Sequence, residues 1–266
     1  MGYRGPNDPC APTSRELPDA ARRALDRRGL LGLGAAGLLT ATLAGCGSKE
    51  VAKAAPKISI PERDDTEAVS VKEARALLEE GNARFSTGKA AHPDQTSGRR
   101  RRIGSGGQKP FASVLSCSDS RVPPEMIFDQ GLGDLFVVRS AGQVIDRAVL
   151  GTLQFGVAEF GTPLLVVLGH TMCSAVKAAI EANQQKSAAA GTDVDALLGA
   201  IMPSVIEAEE IGATATDLLT VAIGNNVDHV VGQLAQAKVL ALAAKTRKLK
   251  ILGAVYDVST GEVDFS

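Results

Sequence analysis

Apolar positions along the chain follow two patterns, short unbroken runs and longer stretches with helical spacing. Residues 111–116, 134–139, 163–168 and 250–256 are runs of the first kind. Runs this short and continuous read as strands buried on both faces. Between them lie helices. Ala74, Leu77, Leu78 and Phe85 share one helical face after Ser70, and Glu73 three residues on completes a capping box. Gly88 ends that helix. Pro123-Pro124 opens a second, and Val149, Leu150, Leu153, Val157 and Phe160 mark a third over residues 147–160. Cys173 opens a fourth that runs through Ile180. Residues 193–211 and 215–246 read as two more, the second broken near Gly224-Asn225-Asn226. The four cations Arg99 to Arg102 read as a solvated helix face or loop. Strand and helix in alternation predict an α/β fold, a mostly parallel sheet flanked by helices with right-handed crossovers.

The first 45 residues depart from these patterns. Arg22, Arg23, Arg27 and Arg28 precede a Gly- and Ala-rich apolar run over residues 29–45, and Cys46 follows. A basic region, a short apolar region and a small-residue cleavage site are the three parts of an export signal. Arg27-Arg28-Gly-Leu-Leu31 resembles a twin-arginine signal, and Leu43-Ala-Gly-Cys46 resembles a bacterial lipobox, in which the Cys is acylated. Asp26, where Ser or Thr is commoner, keeps ordinary secretory export open. The expected organisation is an export signal over 1–45, a lipid-anchored linker over 46–69 with Pro56 and Pro61, and one domain over 70–266. That places the protein in the cell envelope, anchored by lipid to the outer face of the cytoplasmic membrane. The net charge of −1 over 266 residues offers no basic field, which excludes nucleic acid as a partner.

Two strand ends carry metal-type ligands. Cys117-Ser-Asp-Ser-Arg121 follows the first apolar run, and His170-Thr-Met-Cys173 follows the third. Ligands of open α/β sheets bind at the carboxyl ends of strands, so Cys117, Asp119, His170 and Cys173 are expected to converge on one ion. Two thiolates, an imidazole and a carboxylate suit tetrahedral zinc better than magnesium or calcium. Of the other cysteines, Cys10 lies in the segment expected to be removed and Cys46 is the expected lipid acceptor. A disulfide between Cys117 and Cys173 is the competing reading for an exported protein. It leaves Asp119 and His170 at the same two strand ends without a purpose. His92 and His229 lack any such context.

Cys117-Ser-Asp-Ser-Arg-Val-Pro123 followed by Gly169-His-Thr-Met-Cys173 resembles the β-class carbonic anhydrases. The resemblance runs from Glu80 to the C-terminus and takes in Gly81-Asn82, Gly107-Gln108, Phe128-Asp129, Arg139, Ala141-Gly142, Asn226-Val227 and Gly253-Ala-Val-Tyr256. It implies zinc-dependent, reversible hydration of carbon dioxide to bicarbonate and a proton, by a homodimer or tetramer whose N-terminal helices pack on a partner subunit. By the same resemblance Cys117, His170 and Cys173 are zinc ligands. Asp119 matches a residue that either ligates zinc in a closed form or pairs with Arg121 in an open one. Gln108, Phe136 and Phe155 match residues beside the substrate, some contributed across the dimer interface. Val114 stands where a bicarbonate-inhibited subgroup carries Trp, which implies the open form at neutral pH. Ser174 replaces the usual Gly and Ser140 a common Asn. Ser174 narrows the pocket, so hydrolysis of carbon disulfide or carbonyl sulfide on the same scaffold is an alternative. A non-catalytic zinc-binding lipoprotein, its zinc closed by Asp119, is another.

Overall fold

β1 (Ala112–Cys117), β2 (Leu135–Ser140), β3 (Leu164–His170) and β4 (Lys250–Tyr256) lie parallel to their neighbours in one sheet of order β2-β1-β3-β4-β5. β5 (Val263–Phe265) closes the far edge antiparallel to β4. The computed structural model describes residues 60, 62–63, 67–185, 191–246 and 248–266. The expected export signal, Cys46 and most of the linker lie outside the described residues.

The central strands are apolar throughout because both faces are covered. Along β3, Leu164, Val166 and Leu168 face one core with Ala112 and Val114 of β1, while Leu165 and Val167 face a second core with Leu115. That is the two-residue period of a strand, with both faces spent on packing. α1 (Val71–Ser86) covers the first face through Ala74 and Leu78. α4 (Arg147–Phe160) and α7 (Leu218–Gln236) cover the second through Leu153, Val157, Val227, Val230 and Leu234. α5 (Ser174–Gln184) and α6 (Asp193–Glu210) build a third apolar cluster with α7, and Cys117 and Cys173 belong to it.

The helix ends follow from local chemistry. The Ser70–Glu73 capping box opens α1 as expected. Asp146 Oδ1 accepts the amide of Val149 at 2.7 Å to open α4, and Gly161 in a left-handed conformation closes it. α3 (Pro124–Ile127) begins at the expected Pro pair. Among the described residues no helix is long and apolar enough to cross a membrane.

Three expectations change. The Arg99–Arg102 cations lie on α2 (Ser97–Gly106), but Arg99 is fully buried. Its Nη2 meets the buried Asp134 carboxylate at 3.1 Å and its Nε donates to the Leu132 carbonyl at 2.9 Å. A buried guanidinium is tolerated because its donors are matched. The long last helix is continuous through Gly224-Asn225-Asn226 and breaks instead at Ala237, before α8 (Lys238–Lys245). Gly224 costs about 1 kcal/mol of helix propensity, and the burial of Ile223, Val227 and Val230 outweighs that cost. β5 is too short for its periodicity to register in the sequence.

Candidate metal centre

β1 and β3 are adjacent, with Ser116 opposite Leu168. Cys117 therefore ends one strand beside His170 at the end of the other, and Cys173 follows as the N-cap residue of α5. Cys117, His170 and Cys173 are 4%, 0% and 1% exposed, and each brings a ligand atom to a group whose members all lie within 4.8 Å of one another. Tetrahedral zinc with sulfur and nitrogen ligands needs about 3.5–3.8 Å between ligand atoms, a spacing that lies within the 4.8 Å limit of this group. Both cysteines are free thiols, so the competing disulfide is not formed.

His170 supplies the test of fit. Its Nδ1 lies 2.9 Å from the Thr171 carbonyl oxygen, a contact that requires Nδ1 to carry the proton. Nε2 is then a bare lone pair, and it is buried without a hydrogen-bond partner. An orphaned nitrogen fixed by a backbone carbonyl on its other side is the arrangement of a metal-ligating histidine.

The two sulfurs are set up for negative charge. Cys117 Sγ accepts the amides of Gly142 at 3.3 Å and Asp119 at 3.4 Å. The Cys173 thiol beside it, then the nearby His170 ring and the two amides, pull the Cys117 thiol down to about 4 against burial. Cys173 is pushed up by the Cys117 sulfur beside it and by burial, while the amides of Val176 and Ala175 at the start of α5 draw it down. One proton leaves the sulfur pair readily. The second is held until a cation takes its place.

Asp119, expected both as a fourth ligand and as the partner of Arg121, is found in the second arrangement. It is not a member of the three-residue group. Arg121 grips it with Nε on Oδ1 at 2.9 Å and Nη2 on Oδ2 at 2.8 Å, and the Arg121 amide adds a third bond to Oδ1 at 2.9 Å. Those bonds hold the Asp119 carboxyl well below the usual carboxylate range, against partial burial. Arg121 Nη2 also donates to the Met172 carbonyl at 3.2 Å, tying the pair to the loop between His170 and Cys173. Met172 adopts a left-handed φ of 59° there.

The other expected residues divide. Ser174 adjoins Cys173 as the exposed first residue of α5. Gln108, Phe136 and Phe155 lie elsewhere in the same chain. Phe136 pairs with Ser113 whereas Ser140 pairs with Cys117, so four residues, about 13 Å of strand, separate Phe136 from the level of Cys117. Phe155 stacks near Phe136 with ring centroids 6.5 Å apart, and Gln108 lines a cavity of about 510 Å³ with Phe111 and Phe160. Ser140 donates from Oγ to the Val144 carbonyl at 2.6 Å and so stays within its own turn.

Three supporting residues had no role from sequence. Arg139 donates to the carbonyl oxygens of Cys117 at 3.0 Å and Asp119 at 2.6 Å, bracing the segment between them. Gly142, at φ 61°, turns its amide onto Cys117 Sγ. The buried Asn226 of α7 holds the Gly142 carbonyl at 2.9 Å. Asn226 was marked in the sequence by the resemblance, which takes in Asn226-Val227, but without a role.

Residues 112–263 match the family described as carbonic anhydrase. A carbonic anhydrase of Mycolicibacterium smegmatis is 40% identical over 190 residues, 70% of this chain and 89% of that one. Carbonic anhydrase 2 of Mycobacterium tuberculosis is 46% identical over 140 residues, 53% of this chain and 67% of that one. Among solved structures, the β-carbonic anhydrase of Coccomyxa in complex with acetazolamide superposes with a TM-score of 0.57 at 23% identity, covering 70% of this chain and 82% of that one. A tetrameric β-carbonic anhydrase from Sordaria macrospora gives 0.55 at 22% identity, over 72% and 95% of the two chains. With its matched region spanning more than half of its length and its topology shared with those structures, this chain belongs to the carbonic anhydrase family, in the β-class fold.

Proposed function

We propose that this carbonic anhydrase hydrates carbon dioxide reversibly to bicarbonate and a proton at a zinc ion held by Cys117, His170 and Cys173. The observation that carries the reading is the buried, partnerless Nε2 of His170 beside two thiols, with the Asp119–Arg121 pair next to them. Zinc supplies a Lewis acid that polarises water there. Asp119, kept ionised and oriented by Arg121, accepts a hydrogen bond from the attacking water and so sets the direction of the lone pair that meets the carbon. Arg121 also keeps the carboxylate turned from the metal, and a purely structural site has no use for that restraint. The amide of Ser174, at the start of α5, offers an N–H to the bicarbonate anion.

The active unit is a homodimer or a higher assembly built on one. Gln108, Phe136 and Phe155 serve the metal group of a second copy. Supporting this, Phe155 is 55% exposed within a cluster with Phe136 and Phe160, an aromatic patch that a partner subunit would cover. The protein is exported, by the twin-arginine or the ordinary secretory route, and anchored through lipid on Cys46 at the outer face of the cytoplasmic membrane. The Arg27-Arg28 pair and the Leu43-Ala-Gly-Cys46 motif support that placement. Cys46→Ala is expected to move the protein from the membrane fraction to the soluble one, and an unchanged distribution would remove the anchor.

Asp119→Ala tests the catalytic reading. The variant is expected to keep one zinc per chain and to lose activity by roughly a hundredfold or more. Loss of zinc along with activity would instead make Asp119 a ligand.

A further inference from the structure

Upstream of α1, Glu62 and Arg63 are fastened to the domain by contacts that the reaction does not explain. The Arg63 amide donates to Asp94 Oδ1 at 3.2 Å, its Nε to Asp134 Oδ1 at 3.0 Å and its Nη2 to the Lys109 carbonyl at 2.6 Å. Its guanidinium sits 5.5 Å over the ring of the buried Phe111. The side chain is only 14% exposed. Glu62 pairs with Arg102 of α2 at 2.8 Å. Residues 107–110, by contrast, have no regular structure, and Gly107 has a φ of 82°. Among the described residues the Arg63 side chain holds this segment's backbone at the Lys109 carbonyl, and Gln108 is the residue next to that carbonyl.

We propose that Arg63 is a positioning residue: by gripping the Lys109 carbonyl from a guanidinium locked on Asp134, it sets where Gln108 points. This rests on the reading of Gln108 as a substrate-side residue for a second copy. The geometry needs arginine. Nε and Nη2 address two acceptors from one rigid plane, whereas an ammonium on a flexible stem can hold Asp134 or Lys109 but has no fixed fork to hold both. Arg63 also belongs to the segment expected to link the anchor to the domain, so the end of the linker and the Gln108 segment share one fixture.

A double-mutant cycle in the zinc-loaded full chain tests this, with carbon dioxide hydration, zinc content and thermal unfolding read for every variant. Gln108→Ala and Arg63→Met are each expected to lower kcat/KM by roughly tenfold, and the double variant to be no slower than Gln108→Ala alone. Arg63→Lys should recover part of the loss. Glu62→Ala, which frees Arg102 but not Lys109, should stay within about twofold of the wild type. If Gln108→Ala is slow while Arg63→Met is unaffected, or if the two losses multiply, the positioning role is overturned and the Gln108 reading stands. If Gln108→Ala is itself unaffected, the Gln108 reading falls and takes this inference with it. Should Arg63→Met fail to fold, Arg63→Lys carries the same cycle, since it keeps a cation beside Asp134.

Discussion

His170 becomes a ligand through a bond made on its far side. With Nδ1 committed to the Thr171 carbonyl, Nε2 is a buried acceptor that only a donor or a cation can satisfy. His170→Ala is accordingly expected to lose zinc from the folded protein, read as metal content after dialysis, while Asp119→Ala keeps it. A second residue-scale consequence concerns Asp94, which is buried beside Asp134. Burial first, and then the Asp134 charge, push its carboxyl up to about 6 from an ordinary value of 3.8. Between about pH 4 and 6 the folded state therefore holds a proton that the unfolded chain has already released. The stabilisation from protonated Asp94 is complete below pH 3.8 and is lost as pH rises through about 6. Asp94→Asn keeps a neutral acceptor at this position, whose φ of 53° asparagine tolerates. Urea unfolding should find the variant more stable than the wild type at pH 7.5 by about 1–3 kcal/mol, with the difference vanishing near pH 4. A difference independent of pH would contradict the assignment.

At the scale of elements, the site depends on where two adjacent strands stop. β1 and β3 deliver Cys117 and His170 side by side, and the tight turn after β2 brings the Gly142 amide to the sulfur. Gly142 has two reasons to be glycine, its positive φ and the 2.8 Å at which an added Cβ would meet Ile201 Cδ1. Gly142→Ala is expected to cost about 1–3 kcal/mol of stability and to weaken zinc binding roughly tenfold, measured by competition with a chelator. The strands and ligands were legible because an apolar run bounded by Gly or Pro, followed at once by Cys or His, is a local pattern. The residues that hold the ligands entered only through the resemblance, without a role. Arg139, Gly142 and Asn226 act through contacts across 20 to 84 positions of chain, and no local period reports those. Arg99 shows the same limit from the other side: four arginines in a row look solvated until the fold brings Asp134 to one of them.

For the whole molecule, a sheet covered on both faces fixes the metal group at one end of its strands and Gln108 and Phe136 toward the other. One chain cannot bring these together, and this is why the account requires a second copy. Phe155→Glu places a charge in the exposed aromatic cluster and is expected to yield a zinc-loaded monomer in sedimentation, with hydration activity largely lost. A fully active monomer would overturn the shared-site reading. The central claim is tested most directly by stopped-flow carbon dioxide hydration with the zinc-loaded protein from about pH 6.5 to 9, a span that brackets the ionisation of metal-activated water. Because Arg121 holds Asp119 away from the metal, turnover is expected to remain fast at the lower end of that range. No hydration at any pH, with one zinc per chain, would contradict the account.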